Sequence, residues 1–495
     1  MMWWILLLAA CSSPEPEGTP RDDAPSPTTT DSSTDTGAGV VEAVEAMAMP
    51  SEHVPSVFHV VFESPIEGVG FVEFGLDGAF DRRTPDTASG TSHQMALLGL
   101  KGGRRYQARA VVMGADGERV QSTPLRIDVP VPPGIVQSME VVVRTEDATD
   151  GFVFTSVHDA PHGFVGLVDA DGDWVWWSEM EPDTLVTQVA PSWDGTSLMW
   201  LEYDGEDEEG PGRVVRAPID GSARRDFVEL RTAHHGFVEH PDGSLAWLGA
   251  DWRSLEADGT GPFTFLSDRL YEWPLGATEP HERFNFFDDF DMEPSFSCQH
   301  IERPLQLDVG PAFEWTHTNS MSYVLELDSW IVTTKKTDWA LRIDRASGEV
   351  VWVLHGPGGD FEGPSGEDLW PDADGFQLWS HGHMSDAWDG GMLMFDNGDH
   401  RTPGRSTIAE IAWDESTLTA ERVWGFVHPD GGYTRALGDA RRMDNGHIIS
   451  TWGQIGEIME VTKDKEVVFR LRDPKERLMG RVRFFEDLYA LPAPH

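Results

Sequence analysis

Two cysteines in 495 residues, Cys11 and Cys298, are too few for a disulfide framework, so the fold must be held by packing. Positive charge is equally short. Lysine is scarce beside arginine, and 85 acidic residues outnumber 37 basic ones, for a formal net charge of −48. Such a surface argues against nucleic-acid binding, which needs clustered Lys and Arg on phosphates. It also argues against electrostatic docking on anionic lipids. The apolar run Met1–Leu8 is too short to span a bilayer. No amphipathic helical period extends beyond a few turns. Tyrosine is rare at 6, whereas tryptophan reaches 20.

What is present is a repeat. A histidine-containing stretch runs into an Asp/Gly turn and then a short apolar strand. Ala233-His234-His235-Gly236 leads to Pro241-Asp242-Gly243 and Leu245–Leu248. His317-Thr318-Asn319-Ser320 leads to Leu327-Asp328-Ser329 and Trp330–Val332. His381-Gly382-His383 leads to Asp389-Gly390-Gly391 and Met392–Phe395. The pattern also occurs without its histidine, at Gln188 before Trp193-Asp194-Gly195 and at Gly438-Asp439 before Asp444-Asn445-Gly446. The turn and strand are therefore architecture, and the imidazole is an addition to some repeats. Stacked repeats place equivalent positions on one ring, which predicts that His235, His317 and His383 face one another across one mouth of a channel.

Between these units lie hairpins with Asp/Gly tips: Val168–Trp176, Ile343–Trp352 and Thr462–Phe469. Asp and Gly tolerate the positive φ of tight hairpins. Asp169-Ala170-Asp171-Gly172-Asp173 is read as such a tip, since it lacks the distant bidentate Glu of a calcium loop. Many short strands with repeated turns predict an all-β fold.

The organisation follows from composition. Residues 1–11 form an apolar leader ending in small residues and Cys11. Residues 12–50, rich in Pro, Ser, Thr, Asp and Gly, form a flexible tether. Residues 51–133 alternate in short strands and make a β-sandwich, and residues 134–495 make a β-propeller. At roughly 40–50 residues per blade, and with long loops expected at 202–212, 252–263, 278–313 and 356–378, six blades are expected. Closure is expected to pair Gly151–Val157 with the final blade near Val467–Leu471. Cys298 is read as a small buried thiol.

Three resemblances add to this. Leu8-Ala9-Ala10-Cys11 resembles a bacterial lipoprotein lipobox, which implies lipidation of Cys11, export, and a membrane attachment made only through the lipid. Leu98–Val111, where Leu98 and Tyr106 flank a tight turn, resembles the late strands of a fibronectin type III or immunoglobulin-like sandwich. From about Gly151 onward the chain resembles the bacterial arylsulfate sulfotransferases. The matching segments are Glu314–Tyr323 with His317-Thr318-Asn319-Ser320, Ala340–Trp352, His383 with Phe395-Asp396-Asn397-Gly398, and the pair His234-His235.

This last resemblance implies a six-bladed propeller behind a β-sandwich, and transfer of a sulfuryl group from an aryl sulfate to a phenol. It implies a histidine nucleophile, with no phosphoadenosine donor, cofactor or metal. Carried onto this sequence, the catalytic candidates are His383, His317, His235 and Arg405, with Arg401 as the alternative arginine. The substrate-binding candidates are Asn319, His234 and Asn397. One departure is plain. The family's sulfurylated histidine lies late in the chain, whereas here Thr451-Trp452-Gly453 is followed by the short Gln454-Ile455-Gly456, and no histidine follows until His495. His447 occupies a turn position. The chemistry fits these residue types: neutral imidazole is a nucleophile near neutral pH, and cations offset charge on the equatorial oxygens. The competing readings are a non-catalytic surface-binding lipoprotein on the same propeller and a quinone-dependent dehydrogenase propeller, which would want a calcium site and a tryptophan motif in each blade.

Overall fold

A computed structural model describes residues 41–204, 210–256, 262–292, 305–307, 310–366, 369, 378–399, 401 and 403–494. Cys11, most of the tether, Cys298 and His495 lie outside the described residues. Apart from short helical turns, an α-helical one at Phe286–Asp289 and a 3-10 one at Leu325–Leu327, the described chain is all-β.

Six blades follow one another along the chain. Blade 1 carries Phe152–Asp159, His162–Asp169 and Trp174–Glu179. Blade 2 begins at Leu185–Pro191, blade 3 at Ala233–Glu239 and blade 4 at Thr318–Val324. Blade 5 begins at Gly382–Trp388 and blade 6 at Asp439–Arg442. Blade 3 departs from the expected loops. Its strands Leu245–Glu256 and Pro262–Trp273 stay paired as far as Glu256↔Pro262, so the described residues of 252–263 are paired strand.

The ring holds because each pair of neighbouring blades shares an apolar core. Trp176 and Leu167 of blade 1 pack with Trp200 and Val215 of blade 2. Leu201 of blade 2 packs with Phe237 and Trp247 of blade 3, which in turn packs Leu248 and Leu270 against Trp330 and Leu341 of blade 4. Ile331 and Trp352 of blade 4 pack with Met394 and Trp413 of blade 5, and Phe395 of blade 5 packs with Trp452 of blade 6. Blade 6 completes the circle with Ile449 and Phe469 against Val153 and Phe164 of blade 1. Aromatic edges cross the seams. The ring centroids of Trp176 and Trp200 are 6.4 Å apart, those of Trp352 and Trp413 5.3 Å, and those of Phe395 and Trp452 5.1 Å. Such pairs add about 0.5–1.5 kcal/mol beyond burial, and they give the chain's abundant tryptophan its place.

Closure uses both chain ends and corrects the expected pairing. Val467–Arg472 pairs with Glu140–Arg144, which becomes the outermost strand of blade 6. Phe152–Asp159 pairs instead with Leu478–Met479 and Arg483–Phe485, the innermost strands of blade 1. The sequence reading missed this because Leu478–Phe485 is short, is broken at Gly480, and carries two arginines where an apolar strand would be sought.

The N-terminal strands form one hydrogen-bonded network around the 19-residue strand Phe58–Leu76. The first half of that strand pairs with Glu45–Pro50 and Gly90–Leu97, and the second half pairs with Arg105–Gly114. Tyr106 is buried in its core and accepts a hydrogen bond from the Lys101 N–H at 2.9 Å. This region is welded to the propeller. Val54, Val57 and Leu98 join the core of blades 1 and 2, and Tyr489 Oη donates to Ala96 O at 3.0 Å. The Lys101 ammonium sits on Asp169, Asp171 and Asp173 at 3.1, 2.6 and 3.1 Å. The Asp/Gly tip is thus a hairpin end filled by a protein cation.

Candidate functional site

The innermost strands enter the channel through a repeated distortion. His235, His317, His381 and Leu437 each hold a positive φ of 50–63° at or just before the first strand of blades 3 to 6. Non-glycine residues seldom adopt this conformation, and it concentrates at functional sites. Just beyond it the pairing register slips: between Val186 and Val189, Ala233 and Phe237, Thr318 and Ser320, and Gly382 and Met384. A bulge turns side chains away from simple alternation. Gln188, His234, His235, Asn319 and His383 all lie in or beside these slips.

Four predicted histidines meet. The His235 ring lies 4.9 Å from His317 and 6.4 Å from His383, and His234 lies 5.1 Å from His235. Hydrogen bonds settle the protons. His383 Nδ1 faces the Gly438 carbonyl at 3.1 Å, so it carries the hydrogen and leaves the Nε2 lone pair free in the neutral ring. His317 Nδ1 faces the Glu314 carboxylate at 2.6 Å, so it too carries a hydrogen. His234 Nε2 lies 3.1 Å from Asp268, and its Nδ1 lies 2.9 Å from His235 Nδ1. With His234 donating to Asp268, His235 Nδ1 donates to His234, and the His235 Nε2 lone pair is exposed as well. Asp268 is held in turn by Thr316 Oγ1 at 2.5 Å and the Thr318 N–H at 2.6 Å.

Electrostatics keep His235 and His383 neutral. Burial, reinforced by neighbouring cationic groups, pulls His235 and His383 well below the ordinary imidazole range. Burial would raise the Glu314 carboxyl, but His317, Lys336 and Lys335 overcome it and hold it at about 2. Under the rings lies Arg481, 1% exposed. It donates to Gln188 Oε1 at 2.7 Å and to Asn319 O at 2.9 Å, while its Nε–H finds no acceptor among the described residues. Burial and the nearby Arg441 lower it to about 9, so it remains a cation at neutral pH.

Acid should therefore destabilise this fold early. His158 and His240 are lowered to about 4, chiefly by burial, and His235 and His383 fall below the ordinary range with them. A depressed histidine stabilises above its unfolded value near 6.5 and loses that contribution as the pH falls toward its folded value. Each contributes a slope of up to about 1.4 kcal/mol per pH unit, so four give up to about 5.6. The melting temperature should drop steeply between pH 6.5 and 5, and a flat profile there would show that these rings are not held neutral.

The remaining predicted residues are placed as follows. Asn319 Nδ2 donates to Gly382 O at 3.1 Å, tying blade 4 to blade 5 beside the cluster. Asn397 is buried behind it and donates to Thr434 O and Leu437 O at 2.7 and 3.1 Å, which holds the turn entering blade 6. Arg405 does not join the cluster: its side chain is exposed, and its carbonyl accepts from Arg401. Arg401 pairs with Asp396 at 2.5 Å. The buried guanidinium of the site is Arg481, which the sequence reading overlooked. His447 pairs with Glu460 at 2.6 Å on the outer hairpins of blade 6. Glu314 and Asp268 were missed too. Glu314 had a signal in its spacing, three residues before His317, but Asp268 comes from another strand of blade 3 and had none. Among the described residues, no group of three or more His, Cys, Asp or Glu side chains is arranged to hold a metal ion.

Two imidazoles offering Nε2 lone pairs, His235 and His383, beside the His317–Glu314 pair and a buried guanidinium, can attack and hold a compact anion. Comparisons with known proteins bear on which one. Solved structures that match include a protein of unknown function from Bacteroides caccae, at 12% identity and TM-score 0.38, covering 67% of this chain and 99% of that one. Apo AztD from Citrobacter koseri matches at 10% identity and TM-score 0.34, over 69% of this chain and 100% of that one. Virginiamycin B lyase from Staphylococcus aureus matches at 9% identity and TM-score 0.29, over 88% and 99%. These likenesses are too distant to carry function. A search of curated proteins returns no match. The family model for arylsulfotransferase (ASST) matches residues 139–477, well over half of the chain, and ends just short of the segment Leu478–Phe485 that carries Arg481. The chain belongs to the arylsulfotransferase family.

Proposed function

We propose that this protein transfers a sulfuryl group from an aryl sulfate to a phenolic acceptor, with His383 as the nucleophile. The observation that carries this reading is the state of His383. It is buried and neutral, and its Nδ1–H is spent on Gly438, so the Nε2 lone pair is the reactive atom. In the first half-reaction Nε2 attacks sulfur, an N–S bond forms, and the bond from sulfur to the aryl oxygen breaks. In the second, the acceptor oxygen attacks sulfur and the N–S bond breaks. Sulfuryl transfer, like phosphoryl transfer, is governed by positioning and charge. Arg481 supplies an unpaired N–H for a sulfate oxygen, and Glu314 stabilises positive charge on the facing His317 ring. His235 completes the wall, oriented through His234 and Asp268. The test is phenol-dependent release of 4-nitrophenol from 4-nitrophenyl sulfate by the purified protein. Release is expected, and none would overturn the reading.

The rest of the chain is read as delivery and support. Residues 1–11 act as a lipoprotein signal that lipidates Cys11, and the residues from 12 to about 40 as a tether, which ends sooner than the expected residue 50 because Val41–Glu42 and Glu45–Pro50 join the N-terminal sheet; the region up to residue 133 is read as a fibronectin III or immunoglobulin-like sandwich, and 134–495 as the catalytic propeller. With Ser12 and no aspartate directly after Cys11, the anchored protein is assigned to the outer membrane or cell surface. Cys11→Ala should move the protein from the membrane fraction to the soluble fraction, and retention in the membrane would rule out the lipid anchor.

A further inference from the structure

The chain has six lysines, and two of them stand together at the rim of the histidine cluster. Lys335 and Lys336 occupy the turn between Ser329–Thr334 and Ala340–Asp344 of blade 4. Their N–H groups donate to His317 O and Thr316 O, both at 3.0 Å, which fixes the turn to the segment carrying His317. Their side chains are only 14% and 15% exposed. In a protein of net charge −48 this is an unusual place to bury two ammonium groups.

The two lysines are held differently. Lys336 Nζ lies 3.7 Å from Glu314, the partner of His317. Lys335 Nζ lies 3.7 Å from Asp399, too far for a hydrogen bond, and donates to Arg435 O at 3.3 Å. Asp399 is already engaged by His381 Nδ1 at 3.0 Å and Tyr433 Oη at 2.9 Å. Lys335 therefore keeps donors to spare, and after burial its ammonium is the strongest influence on the charge state of His383. Burial also lowers Lys335 itself, with Lys336 adding to the effect and Asp399 opposing it.

We propose that Lys335 is a catalytic residue that exchanges a proton with the phenolic oxygen in both half-reactions. This rests on the sulfuryl-transfer reading above. In the first half-reaction the ammonium gives its proton to the departing aryl oxygen as the S–O bond breaks, which leaves sulfohistidine, a phenol and a neutral amine. In the second, the amine takes the proton of the acceptor phenol as its oxygen bonds to sulfur and the N–S bond breaks, which restores the ammonium and the neutral imidazole. Between the two steps Lys335 waits as the neutral amine, and the proton lost with the first phenol is replaced by that of the second, so neither step needs an outside acid or base. A free phenol and a free lysine titrate near each other, at about 10 and 10.4, and an acid matched to its oxygen is the efficient one. Other groups of the cluster are less suited: arginine does not give up its proton, His383 Nδ1–H is bound to Gly438, and Glu314 is committed to His317.

The test compares two donors in single turnover without acceptor, 4-nitrophenyl sulfate and phenyl sulfate. A nitrophenolate leaves without help, whereas an unsubstituted phenolate needs its proton. In Lys335→Met the ratio of the 4-nitrophenyl to the phenyl rate should rise about 10²-fold. Lys335→Arg should not restore the wild-type ratio, because it keeps the charge but cannot release a proton. If Lys335→Met does not fold, Lys335→Arg carries the test alone through the same raised ratio. Equal slowing of both donors, or full rescue by arginine, would overturn the proposal and leave Lys335 as a fixed charge. A wild-type protein inert on both donors would instead overturn the transferase reading itself, and the lysine's role with it.

Discussion

His383→Ala is expected to reduce single-turnover release of phenol from an aryl sulfate by about 10³-fold or more, since removing a nucleophile removes the covalent route altogether. Acid quench of the wild-type protein should leave a sulfuryl group on the peptide containing His383, and that label should vanish in the variant. The loss must be separated from damage to the fold. His383 is buried, and its removal leaves the Gly438 carbonyl unpaired, for which about 1–3 kcal/mol of stability is expected. A variant that still melts cooperatively, some degrees lower, with activity nearly gone is the expected result. Sulfuryl label on His317 with none on His383 would move the nucleophile to blade 4. Activity reduced only in proportion to lost stability would make His383 a packing residue.

Removing residues 478–495 should abolish cooperative folding. These residues supply the innermost strands of blade 1 and the buried Arg481, together with Phe485, Leu488 and Leu491 of the blade 1–2 core. Their loss would uncover the inner edge of Phe152–Asp159 along the channel, a long unpaired apolar edge that invites association. It would also leave Gln188 and the Asn319 carbonyl without their cation. Trimming the N-terminus to residue 145 is a milder change. It removes Glu140–Arg144, mostly exposed on the outside of blade 6, together with Val54, Val57 and Leu98 of the blade 1–2 core and Val136 and Met139 of the blade 6–1 core, but leaves every blade its innermost strand. The shorter chain should keep a cooperative melt at reduced temperature. If the C-terminal deletion melts as sharply as the intact chain, the innermost strands are dispensable and the closure described here is wrong.

Much of this architecture was legible in the linear chain. Asp/Gly turns between short apolar runs demand β-hairpins wherever they occur, because only a few residues accept the turn's backbone. Their regular recurrence implied equivalent positions on a ring, and six blades followed from length. The histidines of blades 3, 4 and 5 were visible because each sits at the same point of its repeat. What the chain could not reveal by itself depends on contacts between distant segments. Arg405 follows the Phe395–Gly398 segment in sequence but lies exposed, whereas Arg481 is threaded under the rings between two short strands whose pairing partner lies more than 300 residues earlier. The choice between them belongs to closure of the circle, which local pattern does not encode. Nor could spacing say which nitrogen of His383 is free. That is decided by Gly438 O, presented from blade 6. The sequence by itself determined the strand period, the turns and the imidazole ring positions, because these follow from local backbone preference and repetition. Only the tertiary structure decided the proton on each imidazole, the buried cation beneath them and the lysine at their rim, because each depends on burial and on partners from other blades.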